Sequence, residues 1–222
     1  MTPPNSIRTL DSRLRNITRD DFSANRLRRA LANTILGQLM PDGAVKGGTA
    51  MKLRLGQASS RFTPDFDAAR AGSLSAFLDT FERSLAVGWG GFTGRLVAAS
   101  SPRPAGVPAD YVMRPYDVKL HFKGRSWLTV RLEVGHDEIG DTDHPEMRIP
   151  ADLIDLFAQL GLPEPGPVPV LAIDHQIAQK LHACSAPGSE RAHDLVDLQL
   201  LIASEDYDLA LVWFETLAAL QA

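Results

Sequence analysis

The residues most suited to chemistry are a glycine pair and a pair of acids. Gly47 and Gly48 follow the short run Ala44-Val45-Lys46 and lead into Thr49-Ala50. Asp65 and Asp67 lie further on, within Arg61-Phe62-Thr63-Pro64-Asp65-Phe66-Asp67. Two glycines remove the side chains that keep a polyphosphate away from the backbone. A helix starting at Thr49 would add free N–H groups and a positive dipole end, and Thr49 itself a hydroxyl. The spacing is not that of a P-loop. In an extended segment, residues two apart point to one side, about 7 Å from each other, so Asp65 and Asp67 are expected to present both carboxylates to one site. Mg²⁺ takes oxygen ligands and borrows some of them from substrate phosphates. Metals held by such acids stabilise the attacking and leaving oxygens of an in-line displacement. Taken singly, each motif has a plain structural reading, as a glycine turn or a solvated strand end. Together they point to chemistry on a metal-loaded triphosphate.

The elements that must position these residues can be read from hydrophobic spacing and breakers. Thr18-Arg19-Asp20-Asp21 has the form of a capping box, with Leu27, Leu31, Ile35 and Leu39 at helical spacing after it. Pro41-Asp42-Gly43 ends that helix. A strand is expected over 44–46, a helix from Thr49 to Leu55, and a second strand from Thr63 to Ala68. Ser73 reads as the N-cap of a helix carrying Leu74, Phe77, Leu78, Phe81 and Leu85. A turn over 88–94 and a proline-containing excursion over 100–108 precede two strand-like runs, 117–122 and 127–134, joined as a hairpin by Lys123-Gly124-Arg125. Glu133 sits in the second run. A short helix is expected over 152–160. Pro163, Pro165, Pro167 and Pro169 then exclude a continuous helix. Three helices follow, over about 174–184, 190–203 and 208–220. The expected architecture is α/β (α+β): a mixed sheet with flanking helices over residues 1–166, then a helical C-terminal lobe over 167–222.

With 222 residues, 44% hydrophobic and 23% charged, the chain can bury a sizeable core. Its net charge of −4 argues against a generally basic nucleic-acid coat protein. Charge is nevertheless uneven. Arg8, Arg13, Arg15, Arg19, Arg26, Arg28 and Arg29 crowd the first 40 residues, where they form either a solvated helix face or a face toward RNA. Cys184 is the only cysteine, which fits a reducing compartment. No apolar run reaches the ~18 residues of a membrane helix, and the start lacks the apolar core of a signal peptide. The cytoplasm is the expected location. Among the 6 histidines, His175, His182 and His193 lack the further ligands of a metal site. Trp89, Trp127 and Trp213 are expected in the core rather than as base-stacking platforms.

The ordered motifs resemble those of the nucleotidyltransferase superfamily, and within it the AbiEii/AbiGii-type toxins, called MenT in mycobacteria. Members carry a Gly-Gly-Thr/Ser turn, an Arg-x-Ser/Thr-x-Asp-x-Asp strand, a late acidic strand, a Lys-Leu-x-Ala helix and an Arg-x-Lys-Asp-x-x-Asp-Leu helix. Here these read Gly47-Gly48-Thr49, Arg61 to Asp67, Leu132-Glu133-Val134, Lys180-Leu181-His182-Ala183 and Arg191-Ala192-His193-Asp194-Leu195-Val196-Asp197-Leu198. The chain departs at Gln179, where members often have Glu, and at His193, where they often have Lys.

The resemblance implies a two-lobed enzyme using an NTP and Mg²⁺ (or Mn²⁺). Asp65 and Asp67 would bind the metal. Glu133 would complete the metal site or accept the proton of the attacking hydroxyl. Lys180 would reach the triphosphate beside Gly47, Gly48 and Thr49, with Arg61 binding phosphate or pairing with an aspartate. Asp194 would orient Lys180 or touch the nucleotide, and Asp197 would brace Arg191. The implied acceptor is the 3′ end of an RNA, with tRNA first, and the implied protein partner is a cognate antitoxin. Modification of a protein hydroxyl, or a catalytically inactive nucleotide- or RNA-binding module, would use the same motifs.

Overall fold

The computed structural model describes residues 2–18, 20–100, 113–137, 140, 142–185, 188–204, 210, 212 and 213. Its centre is a mixed seven-stranded sheet in the order β3-β4-β5-β2-β1-β7-β6. The strands are β1 (Gly43–Lys46), β2 (Phe66–Arg70), β3 (Phe92–Ala98), β4 (Arg114–Phe122), β5 (Arg125–Gly135), β6 (Glu146–Arg148) and β7 (Val168–Val170). The helices are α1 (Ile7–Ile17), α2 (Asp21–Leu39), α3 (Gly47–Leu55), α4 (Leu74–Val87), α5 (Ala151–Leu160), α6 (Ile173–Ser185) and α7 (Ala192–Ser204). This is the mixed sheet with flanking helices expected from the sequence.

Strand order follows from burial. β1 and β2 are short and rich in small or apolar residues, and Ala44, Val45, Phe66, Ala68 and Ala69 are fully buried in the middle of the sheet. β2 pairs antiparallel with β1 and parallel with β5, while β1 also runs parallel to β7. The β4–β5 hairpin turns at Lys123 (φ 50°) and Gly124 (φ 75°), the two left-handed residues that suit a tight hairpin. One face of the sheet packs Val45, Phe66, Ala68, Leu132 and Val134 against Leu31, Ile35 and Leu36 of α2 and against Leu153 and Phe157 of α5. A second cluster joins Met51 of α3 to Ile173 and Ile177 of α6 and Leu198 and Leu201 of α7.

Several boundaries move. The cap of α2 is Asp20, whose carboxylate accepts from the Ser23 N–H at 2.8 Å, rather than Thr18. The first α-helix, α1, has no counterpart in the expected elements. β2 begins at Phe66, three residues later than expected, because Pro64 has no N–H to give to a ladder. The expected boundary at 166/167 falls just ahead of β7, which joins the sheet before α6 and α7 begin. The excursion expected over 100–108, beyond residue 100, and most of the helix expected over 208–220 lie outside the described residues.

Candidate active site

Register assembles one wall of the site. Lys46 lies opposite Asp67 in the β1–β2 pair, and Asp67 lies opposite Glu133 in the β2–β5 pair. Directly paired residues share a face of a sheet, so Lys46, Asp67 and Glu133 form a row across three adjacent strands. Phe66 and Ala68 point the other way, into the core. Asp67 is held up to about pH 6 by burial first and by the charge of Glu133, with Lys46 working against both. Asp65 adds to the rise and Lys180 opposes it. A carboxylate pressed in this way is a ready partner for a cation.

Gly47 and Gly48 close on this row. Gly47 has φ +62°, and a Cβ there would lie 2.0 Å from Asp67 Oδ2. Only glycine allows both the backbone angle and the approach. A Cβ on Gly48 would come within 2.8 Å of Thr63. No side chain caps the N-terminus of α3, so its first N–H groups are not satisfied by a capping residue. Both glycines line a cleft of about 460 Å³, together with Lys46, Asp67, Glu133 and Arg61.

The facing wall comes from α6 and α7, where Lys180 and Asp194 also line the cleft. Lys180 Nζ donates to Asp194 Oδ1 at 2.8 Å and to Asp197 Oδ2 at 2.7 Å. Asp197 is fully buried and also receives Arg61 Nε at 3.1 Å on both oxygens. Arg191 Nε lies 2.7 Å from Asp194 Oδ2. That contact is ionic rather than directed, and Oδ2 accepts no hydrogen bond. Burial works to raise the Asp194 carboxyl, but the bond and charge of Lys180, helped by Arg191 and His193, hold it below the ordinary range.

The structure therefore brings Gly47, Gly48, Arg61, Asp67, Glu133, Lys180 and Asp194 to one cleft. It treats two expected residues differently. Asp65 precedes β2; its carbonyl accepts from Thr49 Oγ1 at 2.7 Å and from Asn33 Nδ2 at 3.3 Å, while its carboxylate lies near enough for its charge to act on Asp67. Thr49 is 1% exposed, so its hydroxyl ties α3 to the β2 segment instead of facing the cleft. Asp197 braces Arg61 and Lys180, whereas Arg191 pairs with Asp194. Sequence reasoning assigned no role to Lys46 or Asn33. The signal for Asn33 is a polar residue amid the apolar run of α2, where it is 3% exposed and donates to Thr49 Oγ1. Trp89 meets Phe157 edge-on and Trp127 meets Phe92 at a tilt, both partly buried against the core, whereas Trp213 is exposed.

Among the described residues no three His, Cys, Asp or Glu side chains form a ready-made metal cage. The adjacent Asp67 and Glu133 still suit a hard cation that completes its shell with substrate oxygens. The burial and repulsion that raise Asp67 are what such a cation relieves.

The profile of the family described as nucleotidyl transferase AbiEii toxin, type IV toxin–antitoxin system, matches residues 27–222. The chain belongs to the AbiEii nucleotidyltransferase toxin family. Among solved structures, this AbiEii-family chain is similar to MenT4, a nucleotidyltransferase toxin from Mycobacterium tuberculosis H37Rv. The TM-score is 0.59 and the identity 17%, over 96% of this chain and 69% of that one. It is also similar to a structure from H. pylori assigned as a nucleotidyltransferase, with TM-score 0.51 and 18% identity over 86% of this chain and 74% of that one. At these identities the likeness is one of fold. Comparison with curated protein sequences gives no match.

Proposed function

We propose that this AbiEii-family toxin transfers a nucleoside monophosphate from an NTP to the 3′-hydroxyl of an RNA, with tRNA the leading acceptor. The observation that carries the reading is the row Lys46–Asp67–Glu133 facing Lys180 across one cleft, with Gly47 and Gly48 at its base. The triphosphate lies along the open N-terminus of α3, where the absent side chains let phosphate oxygens reach backbone N–H groups. Lys180 approaches it as a point charge, positioned by Asp194 and Asp197. Arg61, anchored by Asp197, adds positive potential from the same wall. Asp67 and Glu133 would hold Mg²⁺ (or Mn²⁺), with the charge of Asp65 beside them. When bound, the metal neutralises charge on the phosphates and fixes their orientation.

The acceptor 3′-oxygen attacks the α-phosphorus. The α–β phosphoanhydride bond breaks and pyrophosphate leaves. Glu133 accepts the proton of the attacking hydroxyl. The chain's contribution is positioning and charge neutralisation. The sheet-based part, through β7, and the α6–α7 part act as two lobes around the cleft. The proposed setting is the cytoplasm, with a cognate antitoxin as partner; no described helix is long and apolar enough to cross a membrane.

The test incubates purified protein with total RNA, Mg²⁺ and each α-labelled NTP in turn, beside an Asp67→Ala control. The expected result is label in a tRNA-sized band, lost in the control. Label confined to protein would move the acceptor to a protein hydroxyl. An absence of label under every condition would reduce the chain to a binding module.

A further inference from the structure

The arginines of the first 40 residues do not behave alike. Arg13 donates to the backbone carbonyls of Thr2 and Leu160, at 2.9 and 2.5 Å. Arg28 pairs with Asp11, and Arg29 donates to the Thr129 carbonyl at 2.6 Å. These hold the fold together. Arg26 is different. Among the described residues it has no carboxylate or carbonyl partner, and its guanidinium sits between two rings, 5.9 Å from the centre of Phe22 and 6.0 Å from that of Phe62. Phe22 is 68% exposed and Phe62 37%. Large exposed phenylalanines need a reason when they flank a cation without a counter-charge.

Phe62 ties this patch to the cleft. Its neighbour Arg61 lines the cleft and is bound by Asp197. Its other neighbour, Thr63, is buried against Gly48. Phe62, exposed and between these two, is thus one residue from the cleft wall. Nearby is Lys52 of α3, 4% exposed, which among the described residues donates to Ser60 Oγ at 3.3 Å. Burial and the nearby charge of Arg26 lower Lys52 to about 8. The charges of Arg61 on the cleft wall and of Arg26 over the two rings both act on the buried Lys52 ammonium, so the three cations lie in one neighbourhood.

We propose that Phe22, Arg26 and Phe62 form a stacking platform for the unpaired acceptor strand of a nucleic acid as it enters the cleft. Bases have flat faces that stack on phenylalanine and on guanidinium, and their phosphates need cations along the path. Stacking of this kind tolerates any sequence and requires bases that are not paired. A protein partner would use the aromatic rings but leave Arg26, the cation held over them, without a role. This inference rests on the RNA acceptor of the proposed function, and adds where that strand binds.

The test measures binding of a fluorescently labelled single-stranded RNA of mixed sequence with a free 3′-hydroxyl, by anisotropy across a range of salt. Phe22→Ala/Phe62→Ala is expected to weaken binding about tenfold or more, and Phe62→Tyr to retain it. Arg26→Gln is expected to lower the dependence of log affinity on log salt by about 0.7. The rise in melting temperature caused by Mg²⁺ and NTP should match wild type in all three, showing that the cleft is intact. Equal RNA affinity in the double variant and wild type overturns the platform, as does wild type that does not bind RNA. Loss of antitoxin binding with unchanged RNA affinity also overturns it, making the patch a protein-docking face. The two readings fail separately. Wild type that binds the strand through these residues but transfers no nucleotide sinks the proposed reaction and keeps the platform. Transfer to RNA with full activity and affinity in the variants does the reverse.

Discussion

The two walls of the cleft handle charge in opposite ways. On the sheet wall, Asp67 and Glu133 sit side by side in adjacent strands, and their repulsion together with burial lifts Asp67 to about 6. On the helical wall, each buried acid has a cation within hydrogen-bonding reach, and Asp194 is held low. A charge that is buried and paired stabilises a shape; a charge that is buried and crowded by its own sign favours whatever cation can join it. The helical wall is thus a preformed clamp. The sheet wall keeps its electrostatic relief for substrate and metal.

The largest effect should come from the crowded acid. Asp67→Ala is expected to lower nucleotide transfer by about 10³-fold or more while the protein still folds, since the change removes a repelled charge rather than a paired one. Transfer rates and far-ultraviolet dichroism together check this. If activity survives, the row across β1, β2 and β5 is not the reaction centre.

Lys180→Met tests the other wall. It leaves Asp194 and Asp197 buried without their shared ammonium, and about 3 kcal/mol of stability should go with it. Denaturant unfolding reads this directly. Adding Asp194→Asn and Asp197→Asn should recover most of the stability but none of the activity. A Lys180→Met protein as stable as wild type would mean that the clamp is loose and solvated.

The pH response should also separate the walls. Asp67 titrates near 6 when folded, against 3.8 for an ordinary aspartate. The folded state therefore holds the extra proton between these values, and stability falls as pH rises from about 4 to about 6. Asp67→Asn should flatten that slope and add about 2 kcal/mol at pH 7, measured by unfolding across pH. Metal binding runs the opposite way: Mg²⁺ affinity should rise through about pH 6 as the carboxylate loses its proton. Asp194 shifts in the other sense. It contributes stability present above the ordinary carboxylate range and lost as pH falls through its lowered folded value.

The smallest effect concerns Thr49. Thr49→Val removes the hydroxyl that spans Asn33 and the Asp65 carbonyl, and should cost about 1 kcal/mol of stability while leaving the KM for NTP unchanged. A marked rise in KM would return Thr49 to the phosphate site.

Much of the site was legible in the sequence. Gly47-Gly48 between a strand and a helix needed only spacing and breakers, whereas Glu133, Lys180 and Asp194 stood out through the resemblance of their motifs to the family's. The places of Asp65 and Thr49 turn on a local break with tertiary consequences. Pro64 delays β2 to Phe66, so Asp65 offers its carbonyl to Thr49 and Asn33 ahead of the strand while Asp67 pairs in register with Lys46 and Glu133. The partner of Arg61 was open between phosphate and carboxylate, because Asp197 lies 136 residues away in the chain.

What the residues alone determined is the kind of chemistry available: backbone freed by glycine, acids in strands, a lysine and aspartates at helical spacing. These are consequences of side-chain volume, charge and periodicity, all local properties. Only the tertiary structure decided which acid meets which cation. Strand register placed Asp67 between Lys46 and Glu133, and the packing of α6 and α7 against α3 placed Lys180 across from them. Register and packing depend on contacts between residues far apart in the chain, which no local pattern encodes.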